Sequence, residues 1–109
     1  MDKQRQQLSA SQLPKRVKVA ILDTGYDRHH GLIVEAQRRL PHDAGIVFKD
    51  FVGTSKKPID KSGHGTLVAY LLLEITQNVD IWMARVYEGN EGTPESAGRV
   101  AKVCYEAVD

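Results

Sequence analysis

A single cysteine, Cys104, is present in the 109 residues, so no disulfide can close within the chain. An excess of charge of one sign is also missing. Fifteen basic and 14 acidic side chains leave +1 at neutral pH, which gives no long-range field to draw in nucleic acid or an anionic membrane, and neither is expected as a partner. The short basic patches "PKRVK" and "SKK" read as solvated strand flanks and loop charges. Long hydrophobic runs are absent too: the longest, "LVAYLLLEI", falls far short of the roughly 20 residues that span a bilayer, and Glu74 interrupts it. The opening "MDKQRQQLSASQLPK" holds no apolar stretch of the kind a signal peptide needs. Together with the lone cysteine, this fits a reducing, intracellular setting.

With 41% hydrophobic and 27% charged residues, the composition suits one modest globular domain. Residues 1–14 are polar and Gln/Ser-rich up to Pro14 and read as a flexible leader, leaving 15–109 as the domain. "VKVAILD", Val17 to Asp23, is nearly continuous aliphatic sequence, the pattern of a strand buried on both faces of a parallel sheet. A short helix is expected in "HHGLIVEAQRRL" before Pro41, and a second strand in "GIVFKDFV" from Gly45 to Val52. "GTSKKPIDKSG" reads as loop, "TLVAYLLLEIT" as helix and "VDIWMARVYE" as a third strand. "TPESAGRVAKVCYEAVD" opens with a Thr-Pro helix start and places Val100, Val103, Cys104 and Ala107 on one helical face. Strands alternating with helices predict an α/β fold, an open, mostly parallel sheet with helices on its faces. Trp82, Met83, Thr66, Val68 and Leu71 are expected to serve packing.

"IDKSGHGTLVAYLLLEI", residues 59 to 75, sets a histidine between two glycines where a helix begins. Ser, Thr, Asp or Asn is the usual cap, and glycine loses the most backbone entropy on folding, so the turn implies a constraint at His64. In open α/β sheets functional groups gather at the carboxyl ends of the strands, where Asp23 ends the first strand. An aspartate held against a histidine fixes the imidazole tautomer and stabilises the imidazolium formed when the ring takes a proton from a nucleophile. Gly63 and Gly65 would then allow a tight turn and leave room beside the ring. A lone histidine at a helix start is otherwise an ordinary surface or capping residue.

Both stretches are similar to signatures of one family. "VAILDTGYD" resembles the aspartate motif of the subtilisin-like serine peptidases and "SGHGTLVA" their histidine motif, in the family's order of Asp, His, Ser. "DRHHGL", with Asp27 and His30, resembles the step between them, "DFVG" and "PIDKSGHGT" resemble the approach to the histidine, and "VDIWMARVYE" the strand that follows. The resemblance runs from about Val17 to Asp109 and implies the N-terminal part of a three-layer subtilisin-like fold. It implies serine-type endopeptidase chemistry on a polypeptide substrate, with Asp23 orienting His64 and His64 acting as general base and then general acid.

The family's nucleophile sits in a Gly-Thr-Ser-x-Ala context far downstream, after an oxyanion-hole asparagine, and neither is in this sequence. The "GTS" at Gly53 to Ser55 precedes the histidine and sits in a loop, while Ser9, Ser11, Ser62 and Ser96 match no motif. By itself the chain is therefore expected to be inactive, the missing C-terminal half of the catalytic domain being its implied partner. A non-catalytic, subtilase-derived interaction module is the alternative. Leu67 stands where the family usually has a second histidine and Tyr70 where it usually has a glycine, changes expected to alter packing and the substrate groove rather than proton transfer.

Two other chemistries meet the same residues. A phosphoacceptor role for Asp23, as in receiver-type signalling domains, requires paired acids near the chain start, where Asp2 stands alone, and leaves the histidine motif unexplained. A metal site drawing on Asp23, Asp27, His29, His30 and His64 lacks the ligand spacing that catalytic zinc uses, so no metal or other cofactor is expected. Some relatives bind structural calcium, but no oxygen-rich loop here supports carrying such a site over.

Overall fold

β3 (Val79–Arg85) runs down the middle of a three-stranded, all-parallel sheet, with β1 (Val17–Asp23) on one side and β2 (Ile46–Asp50) on the other. The computed structural model describes residues 16–41, 44–89 and 94–107; the leader expected over 1–14 lies outside them. Parallel neighbours require crossovers, and helices supply them. α1 (Gly31–Arg38) joins β1 to β2, α2 (His64–Ile75) joins β2 to β3, and α3 (Pro94–Ala107) follows β3. Asp23, Arg85 and Asp50 lie in one row across the carboxyl ends of the three strands.

The two-residue period of the strands divides the core. Ile21, Val79, Ile81 and Met83 pack with Ile33 and Ala36 of α1 and Ala69 and Leu73 of α2 on one face. Ala84 and Val86 pack with Val103 of α3 on the other, joined by the partly buried Leu22, Trp82 and Val100. Helices thus cover both faces of the sheet. Full burial of side chains such as Ile33 and Leu73 contributes about 1.5–3 kcal/mol each.

β1 departs from the burial expected of it. Val17, Lys18 and Ala20 are exposed, because β1 is an edge strand among the described residues and the core that α3 builds on its sheet face gathers at Leu22, Trp82, Ala84 and Val86. The remainder of that face is an open groove of about 390 Å³, bordered by Lys18, Ala20, Val47, Trp82 and Ala107. α3 also presents a different stripe from the one its apolar residues suggest. Ser96 and Val103 are buried and Val100 is half-buried, whereas Cys104 and Ala107 are exposed. The Arg99 guanidinium donates to the Val86 carbonyl at 3.1 Å, which fixes that rotation. Leu71 is likewise exposed, and Trp82 is only partly buried while Met83 is wholly so.

Candidate active site

β1 ends at Asp23 and the chain turns at Gly25, whose φ of 104° lies in the left-handed region that glycine alone enters readily. A β-carbon on Gly25 would sit 2.0 Å from the Ile59 carbonyl oxygen, so the turn lies directly against the end of the loop that leads into α2. That loop enters α2 through Gly63, again left-handed at φ 85°. Gly63 has no side chain to cap the helix, and three borrowed groups take over.

The amide of His64 donates to Ser62 Oγ at 3.2 Å, that of Gly65 to Thr24 Oγ1 at 2.9 Å, and that of Thr66 to Asp60 Oδ2 at 2.8 Å. The first internal helical bond then runs from the Leu67 amide to the Gly63 carbonyl at 3.1 Å. The donors that a helix start leaves open are satisfied from outside the helix, and the Asp60 carboxylate lies at the positive end of the helix dipole.

This entry sets His64, the first residue of α2, beside Asp23. His64 Nδ1 lies 2.9 Å from Asp23 Oδ1 and 3.1 Å from Oδ2. A carboxylate only accepts, so Nδ1 carries the hydrogen and the lone pair of the neutral ring is left on Nε2. The Asp23 side chain is 14% exposed and that of His64 63%, so the orienting group is sheltered and the ring opens to solvent. Asp23 Oδ1 also accepts the Thr24 amide at 2.7 Å, and the Asp23 carbonyl accepts from the amide of Val86 at 2.8 Å. The hydrogen bond to Asp23, then the charge of that carboxylate, raises the His64 pKa above its ordinary 6.5, with a smaller contribution from Asp60.

Ser62 Oγ accepts from the His64 backbone, and Ser55 Oγ donates to the Lys57 carbonyl at 2.7 Å in the loop. No serine hydroxyl among the described residues bonds the His64 ring.

Among the described residues, His29 and His30 serve local structure. His30 is the N-cap of α1, its Nδ1 accepting the Leu32 amide at 3.2 Å, and the His29 amide donates to Asp27 Oδ1 at 2.9 Å. Among the described residues no three His, Cys, Asp or Glu side chains group closely enough to hold a metal ion.

Sequence reasoning missed two carboxylates. Asp60 accepts from Thr24 Oγ1 at 2.7 Å, Thr66 Oγ1 at 2.5 Å and the Gly63 amide at 2.9 Å, besides the Thr66 amide. Burial alone would raise its pKa, but the hydroxyls of Thr66 and Thr24 and the amides of Thr66 and Gly63 outweigh burial and lower it. Thr66, expected to serve packing, is thus a polar tie whose hydroxyl also accepts the Asp27 amide at 2.9 Å. An aspartate three residues ahead of a Gly-His-Gly-Thr turn was the available signal. Asp50, the second, pairs with Arg85 at 3.0 Å, and both side chains are at least 97% buried. Asp50 also takes the amides of Val52, Gly53 and Ser55, which anchors the start of the same loop that Asp60 anchors at its end.

No protein-family model, curated protein or solved structure matches the chain.

Proposed function

We propose that this chain carries the base and its orienting carboxylate of a subtilisin-like serine endopeptidase, with the nucleophilic serine supplied by polypeptide outside these 109 residues. The observation that carries the reading is the paired contact of His64 Nδ1 with both oxygens of Asp23, Nε2 being left free. It occurs between the two stretches whose motifs resemble the family's.

In this reading His64 Nε2 takes the serine hydroxyl proton as the oxygen attacks the peptide carbonyl carbon. Asp23 stabilises the resulting imidazolium through Nδ1–H and remains ionised itself. The proton then passes from Nε2 to the leaving amine as the C–N bond breaks, and a water activated by the same nitrogen releases the acyl group. Asp23 and His64 without the serine lack the group that forms the acyl bond. Loss of that nucleophile costs about six orders of magnitude in turnover, so this chain alone is inactive toward peptides. The open groove beside Val47 and Trp82 is consistent with sheet surface that the rest of a peptidase domain would cover.

The test is to read the gene on both sides of this coding segment and express the whole product. A Gly-Thr-Ser-x-Ala segment, fluorophosphonate labelling of its serine, and loss of that labelling in His64→Ala are expected. A product without the serine, or labelling indifferent to His64, sinks the peptidase reading and leaves a non-catalytic, subtilase-derived interaction module.

A further inference from the structure

We infer that Asp60 is a positioning residue for the Asp23–His64 pair, acting through Thr24 and the first turn of α2; the inference rests on the peptidase reading. Asp60 has no bond to the imidazole. It holds instead the residues on either side of the pair. Through Oδ1 it takes the hydroxyl of Thr24, the neighbour of Asp23, and the amide of Gly63, the neighbour of His64. Through Oδ2 it takes the amide and the hydroxyl of Thr66, two residues beyond His64.

Thr24 completes the link. Its hydroxyl donates its only hydrogen to Asp60 and with its lone pairs accepts the Gly65 amide, while its own amide donates to Asp23 Oδ1. One carboxylate therefore sets the end of β1 and the start of α2 relative to each other, segments 41 positions apart in sequence. A base and its orienting group must be held to within about half an ångström, and side chains locked by a second layer of hydrogen bonds provide that. The charged groups around the ring are few. Asp23 faces it from β1 and Asp60 stands at the head of α2, while Arg85 of β3, in register with Asp23, is engaged with Asp50 and Glu88.

The experiment uses this chain and follows the His64 ring by 15N-edited NMR across pH. Asp60→Asn alone is ambiguous, because it also removes a charge that acts on the ring. Thr24→Val removes the tie and leaves both carboxylates in place.

In Thr24→Val the His64 midpoint is expected to fall by at least half of the drop seen in Asp23→Asn. The low-field Nδ1 proton signal should broaden, and Thr24→Ser should restore both. Thr24→Ala serves as the second variant if valine prevents folding. A Thr24 variant that loses thermal stability but keeps the His64 midpoint and Nδ1 signal of the parent overturns the inference, since Asp60 would then be structural only. Should Asp23→Asn itself leave His64 unchanged, the pairing beneath the peptidase reading has failed instead.

Discussion

Gly65 and Gly25 meet backbone to backbone: a β-carbon on Gly65 would lie 2.0 Å from the Gly25 carbonyl oxygen. The contact brings the turn after Asp23 against the residue that follows His64. Gly65 is thus needed for closeness, which explains a glycine in the first turn of α2, where it favours helix so little.

Gly65→Ala should therefore displace backbone rather than a side chain. A loss of about 3 kcal/mol, the upper end of the overpacking range, is expected in urea unfolding, with the Nδ1 signal of His64 lost or broadened. Gly63→Ala makes the contrast, because a β-carbon there meets open space and only the φ of 85° is strained. Its cost should be about 1–2 kcal/mol, with the His64 signal retained. Equal effects of the two substitutions would contradict the close contact.

His64 titrates above 6.5 because Asp23 favours the imidazolium. For a group whose folded pKa is raised, the stabilisation is complete below the unfolded value of about 6.5 and is lost as pH rises through the folded midpoint. Asp23→Asn should bring the midpoint of the ring back toward 6.5 and flatten the pH dependence of stability over that window. In a completed peptidase the neutral ring is the base, so kcat/KM should climb with pH through the raised midpoint, and an NMR titration should reproduce that midpoint.

The order of strands and helices was legible because aliphatic runs, Pro41, Asn78 and Thr93-Pro94 punctuate the chain strongly. Strand β1 was expected with the bounds it has, yet its edge position was hidden. A continuous aliphatic run reads as doubly buried, and only the sheet order reveals that no strand lies beyond Val17 to Asp23 among the described residues. Asp23 and His64 stood out through their Asp-Thr-Gly and Gly-His-Gly settings. Asp60 and Asp50 did not, since an aspartate in a polar loop such as "DFVGTSKKPIDKSG" looks solvated until its donors are placed around it.

Cys104 tests the rotation of α3 directly. Apolar spacing put it on the packed face with Val100 and Val103, whereas Val103 is buried and Cys104 is exposed. The native protein should accordingly react with a disulfide reagent such as Ellman's without denaturant, at a rate close to that of the unfolded chain. Protection by tenfold or more would restore the spacing-based face.

Asp50 and Arg85 form the most deeply buried ion pair among the described residues, and removing one partner should cost more than removing both. Burial alone would raise the Asp50 pKa, but the amides of Gly53, Ser55 and Val52 and the Arg85 guanidinium lower it. A depressed carboxylate contributes stability that is present above its unfolded pKa of about 3.9 and lost as pH falls through the folded value. Asp50→Asn should thus destabilise by about 3–5 kcal/mol at neutral pH, because Arg85 keeps only a 3.5 Å contact with Glu88 and its Nε already lacks a partner among the described residues. It should also remove part of the acid dependence below about pH 4. Asp50→Asn combined with Arg85→Met leaves no unpaired charge and should recover part of the loss in urea unfolding. If the double variant is no more stable than the single one, the stabilisation belongs to the loop amides that Asp50 gathers rather than to its pairing with Arg85.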